Sequence, residues 1–241
     1  MGTHPIQTPG ASVEIRRGVR LWLRKQIAFL IILAAVLFLS AGTLRWREGW
    51  VCLGLSAAVI ALTAATLIPS SPELLAERSE RQAGTKPWDM WLVILAVLVF
   101  PLLTWITGGL DERFGWSGPI PTALWVAAAV LFLAGGLIVL WAMMANRFFS
   151  ATVRIQSERG HCVVSAGPYR LVRHPGYTGS IVYQLAVPLV LGSWWALIPS
   201  ALAAVTFVIR TAREDRTLHD ELEGYADYAR RVRYRLLPGI W

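Results

Sequence analysis

The residues most capable of chemistry lie in one short turn. The stretch GPYRLVRHPGYTG (167–179) places Arg170, Arg173 and His174 among two prolines and three glycines. Gly-Pro and Pro-Gly pairs fix the direction of the backbone, and Pro175 suits the first position of a helix because it has no N–H to leave unpaired. His174 would then lie at a helix N-terminus, where free N–H groups and two arginine forks favour an anionic ligand. The alternative is a loop whose arginines only anchor the topology, with His174 as a helix cap.

A second constellation, REDR (213–216), places two acids between two arginines. The uncharged stretch between the two constellations is broken by a tight turn at 192–194, which makes 176–191 and 195–210 an antiparallel pair of helices. The residues that this pairing brings together are His174, Tyr177, Arg210, Glu214 and Asp215. A cationic turn that faces a carboxylate pair could hold an amphoteric small molecule. The alternative is a local ion-pair cluster with no further role.

The composition places these residues in a membrane protein. Hydrophobic residues make up 55% of the chain and charged residues 16%, well below the roughly 25% charged residues of soluble domains. A spanning helix needs about 20 apolar residues. The sequence therefore predicts an all-α polytopic membrane protein with about six transmembrane helices and a cytoplasmic C-terminal amphipathic helix. The predicted spans are 27–44, 50–69, 89–107, 122–145, 176–191 and 195–210.

The basic charge follows this topology. With the N-terminus inside, the inside segments hold 20 of the 23 Lys and Arg residues, and the outside loops hold only Arg45, Arg47 and Arg113. This distribution is the positive-inside pattern, so it explains the net charge of +8 without a nucleic-acid partner. We expect a multi-pass integral membrane protein with both termini and its polar site on the cytoplasmic side.

Ionisable residues are absent from the middle of every predicted span, which counts against a transporter or channel. They gather in the inside segments 70–89, 147–174 and 210–235, as in a membrane enzyme with a water-facing site. The basic segment 14–25 is expected to lie at the lipid headgroups as a short helix. Neither cysteine has neighbours that could share a metal, and no metal site is predicted.

The tail predicts an amphipathic helix over the inside mouth of the bundle. Its apolar residues recur at helical spacing, and they are Leu218, Leu222, Tyr225, Ala229 and Val232. Gly224 is placed to bend or break this helix, and Pro238 bars its continuation. A solvated tail without a role is the alternative.

At these residues the chain resembles the isoprenylcysteine carboxyl methyltransferase family of integral membrane enzymes, which is related to the phospholipid N-methyltransferases. The resemblance rests on GPYRLVRHPGY, the charge-free hairpin after it, the acidic pair and GYADYARRVRYRLLPG (224–239). The stretch SPELLAER…GTKPWD (71–89) is like that of bacterial members. The resemblance covers roughly 70–241, the predicted catalytic region, whereas 1–69 holds the basic segment and the first helical hairpin.

The resemblance implies methyl transfer from S-adenosylmethionine at the cytoplasmic membrane face. The matching cofactor positions are His161, Cys162, Val163, Val164, Tyr169, His174, Pro175, Gly176, Tyr177, Glu214 and Asp215. The family more often has two glutamates where this chain has Glu214 and Asp215. Arg210 aligns approximately with a substrate-side arginine, and the catalytic candidates are Arg173, Arg210 and Glu214.

Methyl transfer from a sulfonium needs mainly positioning and a preorganised electrostatic environment. A carboxylate acceptor needs no base, whereas an amine acceptor has to lose a proton, and an arginine stays protonated in either case. The partners expected are the bilayer and a hydrophobic or lipid-linked acceptor, with carboxylate O-methylation favoured. The alternatives are a phospholipid amine acceptor, a non-enzymatic lipid-binding protein, and a membrane reductase that uses a nicotinamide cofactor. The sequence does not predict an oligomeric state.

Overall fold

The structure, a computed structural model, describes residues 9–79 and 84–241 and contains no β-strand in these residues. Parts of the predicted N-terminal region (1–8) and of the 71–89 stretch (80–83) lie outside the described residues. The helices are α1 (Pro9–Ala41), α2 (Arg47–Ser70), α3 (Pro72–Arg78), α4 (Pro87–Val93), α5 (Phe100–Phe114), α6 (Thr122–Ala145), α7 (Pro175–Val190), α8 (Leu197–Glu221) and α9 (Tyr225–Arg231). A π-helical segment (Ile94–Val99) joins α4 to α5, and short 3₁₀ turns lie at Ser157–Arg159 and Gly167–Arg170.

Four segments of the described chain are long and apolar enough to cross a membrane. They are Val13–Ala41, Arg47–Ser70, Pro87–Phe114 and Thr122–Ala145, and each contains most or all of one predicted span. The predicted basic segment 14–25 continues directly into the first of these helices. The remaining two predicted spans coincide with α7 and with the first half of α8.

α7 and α8 differ from the four long apolar helices in length and in charge. α7 has 16 residues, or about 24 Å at 1.5 Å per residue, which is short of a hydrocarbon core of about 30 Å. α8 has 25 residues and ends in the charged sequence REDRTLHDE (213–221). This helix therefore carries the acidic pair on its own continuation, beyond its apolar half.

Close backbone contact with α6 fixes the position of α7, which begins at the RHP turn (Arg173, His174 and Pro175). A Cβ on Gly135 of α6 would lie 2.6 Å from the backbone nitrogen of Tyr183, and one on Gly179 of α7 would lie 2.6 Å from the carbonyl oxygen of Gly135. Small residues of this kind let membrane helices approach closely. The apolar core beside them includes Phe132 and Val187, which are almost fully buried.

The π-helical segment widens the helix of the third apolar segment just before Pro101. Pro101 has no N–H, so the carbonyl of Val97 loses its usual helical partner. Phe100 N–H bonds to the carbonyl of Leu95, five residues earlier, as a π-helix requires. Such bulges are frequent at functional sites, and this one contributes Ala96 to the wall of the cavity described below.

The C-terminal tail forms two helices and a return segment, where the sequence predicted one amphipathic helix. α8 runs on to Glu221, and α9 begins after Gly224, whose φ of 78° lies in the left-handed region that glycine adopts most readily. The predicted apolar residues of the tail nevertheless share one cluster with Tyr169 and Tyr228. The chain then turns back along residues 232–236 toward the start of α7, where it forms the hydrogen bonds described next.

Candidate active site

The RHP turn is held by the returning tail. The backbone N–H groups of Arg173 and His174 donate to the carbonyls of Tyr234 and Arg235, both at 2.9 Å. The hydroxyl of Thr178 donates to the carbonyl of Leu236 at 2.9 Å. The N–H groups of Tyr177 and Thr178 donate to the carbonyl of His174 at 3.1 and 3.2 Å. These four backbone donors are therefore occupied, and the turn offers an anion chiefly its side chains.

Asp215 is the centre of a buried polar network beneath this turn. It is 1% exposed, and Arg173 donates to it through Nε at 2.8 Å and Nη2 at 3.0 Å. Tyr225 donates its hydroxyl to the same carboxylate at 2.9 Å, and Arg235 donates Nε at 2.8 Å. His174 Nε2 lies 3.2 Å from Oδ1. The carboxylate thus joins the turn, α8, α9 and the tail.

The network fixes the charge state of its members. Burial alone would raise the pKa of Asp215, but hydrogen bonds from His174, Arg173 and Arg235 outweigh it and hold that pKa far below its usual range. Burial and the neighbouring Asp215 charge raise the pKa of Tyr225, so its phenol remains a donor. At neutral pH the centre is a carboxylate surrounded by fixed donors, as expected for a buried charge that must be paired.

Glu214 occupies a different environment from its neighbour. Successive helical residues point about 100° apart, so Glu214 faces the cavity while Asp215 faces the turn and the tail. Tyr177 donates its hydroxyl to Glu214 Oε2, and the guanidinium of Arg210 lies 5.2 Å from the centre of the Tyr177 ring. The antiparallel helix pair therefore brings together the residues that the sequence placed there.

Arg210 is itself paired with an acid that the sequence analysis did not single out. Its Nε and Nη2 donate to Oδ1 and Oδ2 of Asp89 at 2.6 and 3.0 Å, and Nη2 also reaches the carbonyl of Ala151 at 2.8 Å. Asp89 is fully buried and accepts a further hydrogen bond from Val153 N–H at 2.7 Å. The only sequence signal for it was its place at the end of the KPWD stretch.

A cavity of about 490 Å³ opens between these groups. Its polar part is lined by most of the predicted site residues, namely His161, Cys162, Val163, Val164, Tyr169, Arg173, His174, Gly176, Tyr177, Arg210 and Glu214. Pro175 and Asp215 do not line it, and Arg170 is exposed. The predicted roles of Pro175 and Asp215 in cofactor binding stay predictions, and the hydrogen bonds above give Asp215 a structural role in addition.

The same cavity continues into an apolar branch between the helices. The residues that line this branch include Phe29, Val59, Val97, Trp105, Gly136, Val139, Leu140 and Tyr183, which come from α1, α2, the π-helical segment, α5, α6 and α7. All four candidate spans and α7 therefore contribute to one internal space that also reaches the polar groups.

The loop before the 3₁₀ turn supplies the remaining polar wall. His161 Nδ1 accepts a hydrogen bond from the backbone N–H of Gln156 at 3.4 Å, and its ring packs against Phe148 with centroids 4.7 Å apart. Burial lowers the pKa of His161, and the positive charges of Arg154 and Arg159 lower it further. The imidazole is therefore neutral at pH 7, with one ring nitrogen already used as an acceptor.

Sequence reasoning missed other residues that support this wall. Tyr169 receives a hydrogen bond on its hydroxyl from Asn146 Nδ2 at 3.2 Å, and Tyr228 donates to the carbonyl of Tyr169 at 2.8 Å. Gln156 is 1% exposed and donates to the carbonyl of Phe148 at 2.7 Å. Neither Asn146 nor Gln156 lies in a recognisable motif, so only the packed structure shows their contacts.

Within residues 9–79 and 84–241, no group of three or more His, Cys, Asp or Glu side chains is placed to hold a metal ion. Two of the arginines that line the cavity, Arg173 and Arg210, are paired with buried acids, and the cavity also has an apolar branch. Such a space fits a ligand that is partly charged and partly apolar.

Comparison with known proteins confirms the resemblance found in the sequence. Residues 127–220 match the model of the Isoprenylcysteine carboxyl methyltransferase (ICMT) family. This segment contains the RHP turn, the hairpin, Arg210 and the acidic pair.

Curated relatives are similar to this chain at modest identity. A probable protein-S-isoprenylcysteine O-methyltransferase of Oryza sativa subsp. indica is 30% identical over 95 residues, which are 36% of this chain and 47% of the rice protein. Protein-S-isoprenylcysteine O-methyltransferase B of Arabidopsis thaliana is 27% identical over 90 residues, 36% of this chain and 46% of that protein. These matches thus cover about half the length of the plant proteins.

A bacterial relative matches over a longer part of the chain. The cobalt-zinc-cadmium resistance protein CzcN of Cupriavidus metallidurans is 29% identical over 183 residues, which are 71% of this chain and 73% of that protein.

Proposed function

We propose that this chain is an integral membrane methyltransferase that transfers a methyl group from S-adenosylmethionine to a hydrophobic or lipid-linked acceptor. The observation that carries the proposal is the single cavity that joins the polar groups of the RHP turn and Glu214 to an apolar branch between the helices. The match of residues 127–220 to the methyltransferase family supports it. A water-soluble donor and an oily acceptor could meet in such a space.

The residues present fit the donor molecule. The cavity volume of about 490 Å³ lies within the range of small-molecule sites, roughly 300–1,000 Å³. Glu214 is half-buried and uses Oε2 for Tyr177, while its Oε1 accepts no hydrogen bond from the described residues. That oxygen can accept a hydrogen bond from a hydroxyl or an amine, and the half-buried Val163 and Val164, which line the same cavity, can pack against an aromatic base.

When bound, S-adenosylmethionine supplies an electrophilic methyl group on a positively charged sulfur. The chain's own residues would bind and orient the two reactants and exclude water between them. Tyr177 is held from two sides, by its hydrogen bond to Glu214 and by the cation of Arg210. Arg210 is held in turn by the hydrogen bond that it donates to Asp89, so one chain of contacts links Glu214, Tyr177, Arg210 and Asp89.

Carboxylate O-methylation is the favoured reaction. Arg210 lines the cavity and its guanidinium remains charged, so it attracts a carboxylate and repels a protonated amine. A carboxylate oxygen can attack a methyl group without losing a proton, and no group in the described wall has to act as a base. An isoprenylcysteine-type acceptor combines this carboxylate with a prenyl chain suited to the apolar branch. Methylation of a phospholipid amine is the alternative reaction.

We also propose six spans with both termini and the polar cavity on the cytoplasmic side. α7 and the apolar half of α8 would form the last hairpin, and their short lengths would place the RHP turn and the acidic pair just inside the lipid boundary. The concentration of Lys and Arg in the segments that flank the cavity supports this orientation.

The proposal is tested by calorimetry of the purified protein in detergent with S-adenosylmethionine. We expect binding by the wild type and a loss of about 10- to 100-fold in affinity for Glu214→Gln, because hydrogen bonds to charged groups contribute about 1.5–3 kcal/mol. Asp220→Asn, an exposed change on the same helix, is the matched control. An intact wild type without affinity for the cofactor refutes the proposal.

The acceptor is identified by mass spectrometry of lipid extracts and prenylated cysteines incubated with the protein and methyl-labelled cofactor. Label on a carboxylate supports O-methylation, and label on an amine supports the phospholipid alternative. A lipid-binding protein without enzymatic activity predicts no label and a silent Arg173→Lys change, since only charge would matter. A reductase predicts binding of a nicotinamide cofactor instead.

A further inference from the structure

Arg78 lies at the end of α3 and lines the cavity without an evident role in the proposed reaction. It is half-buried, and its guanidinium carbon lies 5.1 Å from the centre of the Phe149 ring. The Phe149 ring in turn covers Gly176 at the start of α7, where a Cβ would meet it at 2.6 Å. Arg78 is therefore close to the RHP turn but enters the cavity from another helix.

In the described residues, no acid forms a salt bridge with the guanidinium of Arg78. Its Nη1 is buried and has no hydrogen-bond partner in the part of the chain that the structure describes. The adjacent Glu77 is engaged by Arg154, at 2.7 Å, and by Arg159. Burial of a cation without a partner is costly, so a site of this kind favours an anionic ligand.

Two other arginines that line the cavity, Arg173 and Arg210, are buried and paired with acids. Arg173 is paired with Asp215 and Arg210 with Asp89, each through two hydrogen bonds. The charge of Arg210 also acts on Arg78, because burial and that neighbouring cation lower the pKa of Arg78 to about 10. Arg78 and Arg210 therefore both face the cavity, and in the described residues only Arg210 of these two is paired with an acid.

The surroundings of Arg78 distinguish the acceptor end of the cavity from the donor end. α3 packs through Leu74 and Leu75 into a cluster with Leu140, and Val139 and Phe149 pack against the same cluster. Val139 and Leu140 line the apolar branch. Tyr169, Val163 and Val164, on the proposed donor side, belong to a different cluster. Phe149 touches both clusters and lies between the two ends.

We propose that Arg78 binds the carboxylate of the hydrophobic acceptor at the mouth of the apolar branch, beside Arg210. This inference rests on the proposed function and adds the residue that selects an anionic acceptor. In the proposed methyl transfer, the acceptor oxygen forms a bond to the methyl carbon as the bond from that carbon to sulfur breaks. The electron pair of the broken bond stays on sulfur, and no proton moves. The ester product is neutral, so the two arginines bind it less tightly than the substrate.

The experiment compares Arg78→Met and Arg78→Lys with Arg216→Met, which removes an exposed charge from α8. The probes are N-acetyl-S-farnesylcysteine, its carboxamide, and S-adenosylmethionine, each titrated by calorimetry in detergent. A charge-assisted hydrogen bond contributes about 1.5–3 kcal/mol, so we expect Arg78→Met to weaken carboxylate binding about 10- to 100-fold. Carboxamide and cofactor affinities should change less than about threefold.

Arg78→Lys should recover part of the preference for the carboxylate, because it restores the charge but not the planar fork. This variant also guards against a folding defect in Arg78→Met, together with thermal unfolding of each protein. An unchanged ratio of carboxylate to carboxamide affinity in folded Arg78→Met overturns the inference. A loss of cofactor affinity alone also overturns it, since the anion would then be the carboxylate of the cofactor. Failure of the wild type to bind S-adenosylmethionine refutes the proposed function instead. The ratio of carboxylate to carboxamide affinity still tests whether Arg78 binds the carboxylate.

Discussion

Replacement of Asp215 by asparagine separates a structural carboxylate from a ligand-binding one. The substitution keeps the side-chain volume but removes the charge that pairs with Arg173. The two side chains are only 2% and 7% exposed, so neither can be solvated after the change. Loss of one partner from such a buried pair costs about 3–5 kcal/mol. Arg235, whose side chain is 34% exposed, can turn toward water and adds little.

The assay is equilibrium unfolding in mixed detergent micelles, monitored by tryptophan fluorescence. We expect Asp215→Asn to lower the free energy of unfolding by about 3–5 kcal/mol, whereas Asp220→Asn on the same helix should stay within about 0.5 kcal/mol. Glu214→Gln should also unfold like the wild type, because its carboxylate is half-exposed and faces the cavity. Substitution of Asp215 would then lower the stability, whereas substitution of the adjacent Glu214 would lower the cofactor affinity and leave the stability unchanged.

The pH dependence supplies an independent check. The pKa of Asp215 is lowered in the folded protein, so its contribution is complete above the unfolded pKa of about 3.9 and is lost as the pH falls through the folded value. The difference between wild type and Asp215→Asn should therefore be constant from about pH 5 to 8. The reasoning is refuted if Asp215→Asn unfolds like the wild type and loses only cofactor affinity, since Asp215 would then be a ligand and no structural centre.

Three further predictions concern packing, pH and access. Gly135→Ala should destabilise the protein by about 1–3 kcal/mol in the same unfolding assay, because its Cβ would meet the α7 backbone at 2.6 Å. Gly54→Ala is the control and should be neutral, since a Cβ there has nothing within 4 Å. Equal effects of the two substitutions would contradict the close helix contact. The free energy of unfolding should fall as the pH drops below about 6.5, since the pKa of His161 is lowered in the folded protein. In His161→Gln this fall in stability with pH should disappear. A fall of the same size in the variant would contradict the assignment to His161. A maleimide reagent should label the exposed Cys162 and spare the buried Cys52. S-adenosylmethionine should slow the labelling of Cys162. Equal labelling rates with and without S-adenosylmethionine would mean that the cofactor binds away from Cys162.

The long apolar helices could be predicted from the sequence because hydrophobic length is a local property. Four of the predicted spans coincide with helices of spanning length. The tight turn at 192–194 also predicted the neighbours of the RHP turn, since two helices joined by a short turn must run side by side. The tail was less predictable, because Gly224 could bend or end the helix. The helix α8 ends at Glu221, and the left-handed φ of 78° at Gly224 directly precedes α9.

Partners distant in sequence could not be predicted in the same way. Asp89 and Arg210 are 121 residues apart, and no spacing rule links them. The carbonyls of Tyr234 and Arg235 occupy the N–H groups of the RHP turn, although they lie in a segment expected to be helical. Such contacts depend on where the tail returns, which is set by the packing of α8 and α9.

By itself, the sequence determined the membrane class, the gathering of ionisable groups in segments outside the apolar stretches and the meeting of the RHP turn with the acidic pair. These follow from hydrophobic length, charge distribution and a short connection between two helices. Only the tertiary structure decided which acid is buried and which faces the cavity, and which arginine of the cavity lacks an acid partner among the residues that the structure describes. The physical reason is that burial and pairing are properties of the whole packed chain: Asp215 meets the returning tail, Glu214 meets open space, and Arg78 meets an aromatic ring where a carboxylate could bind.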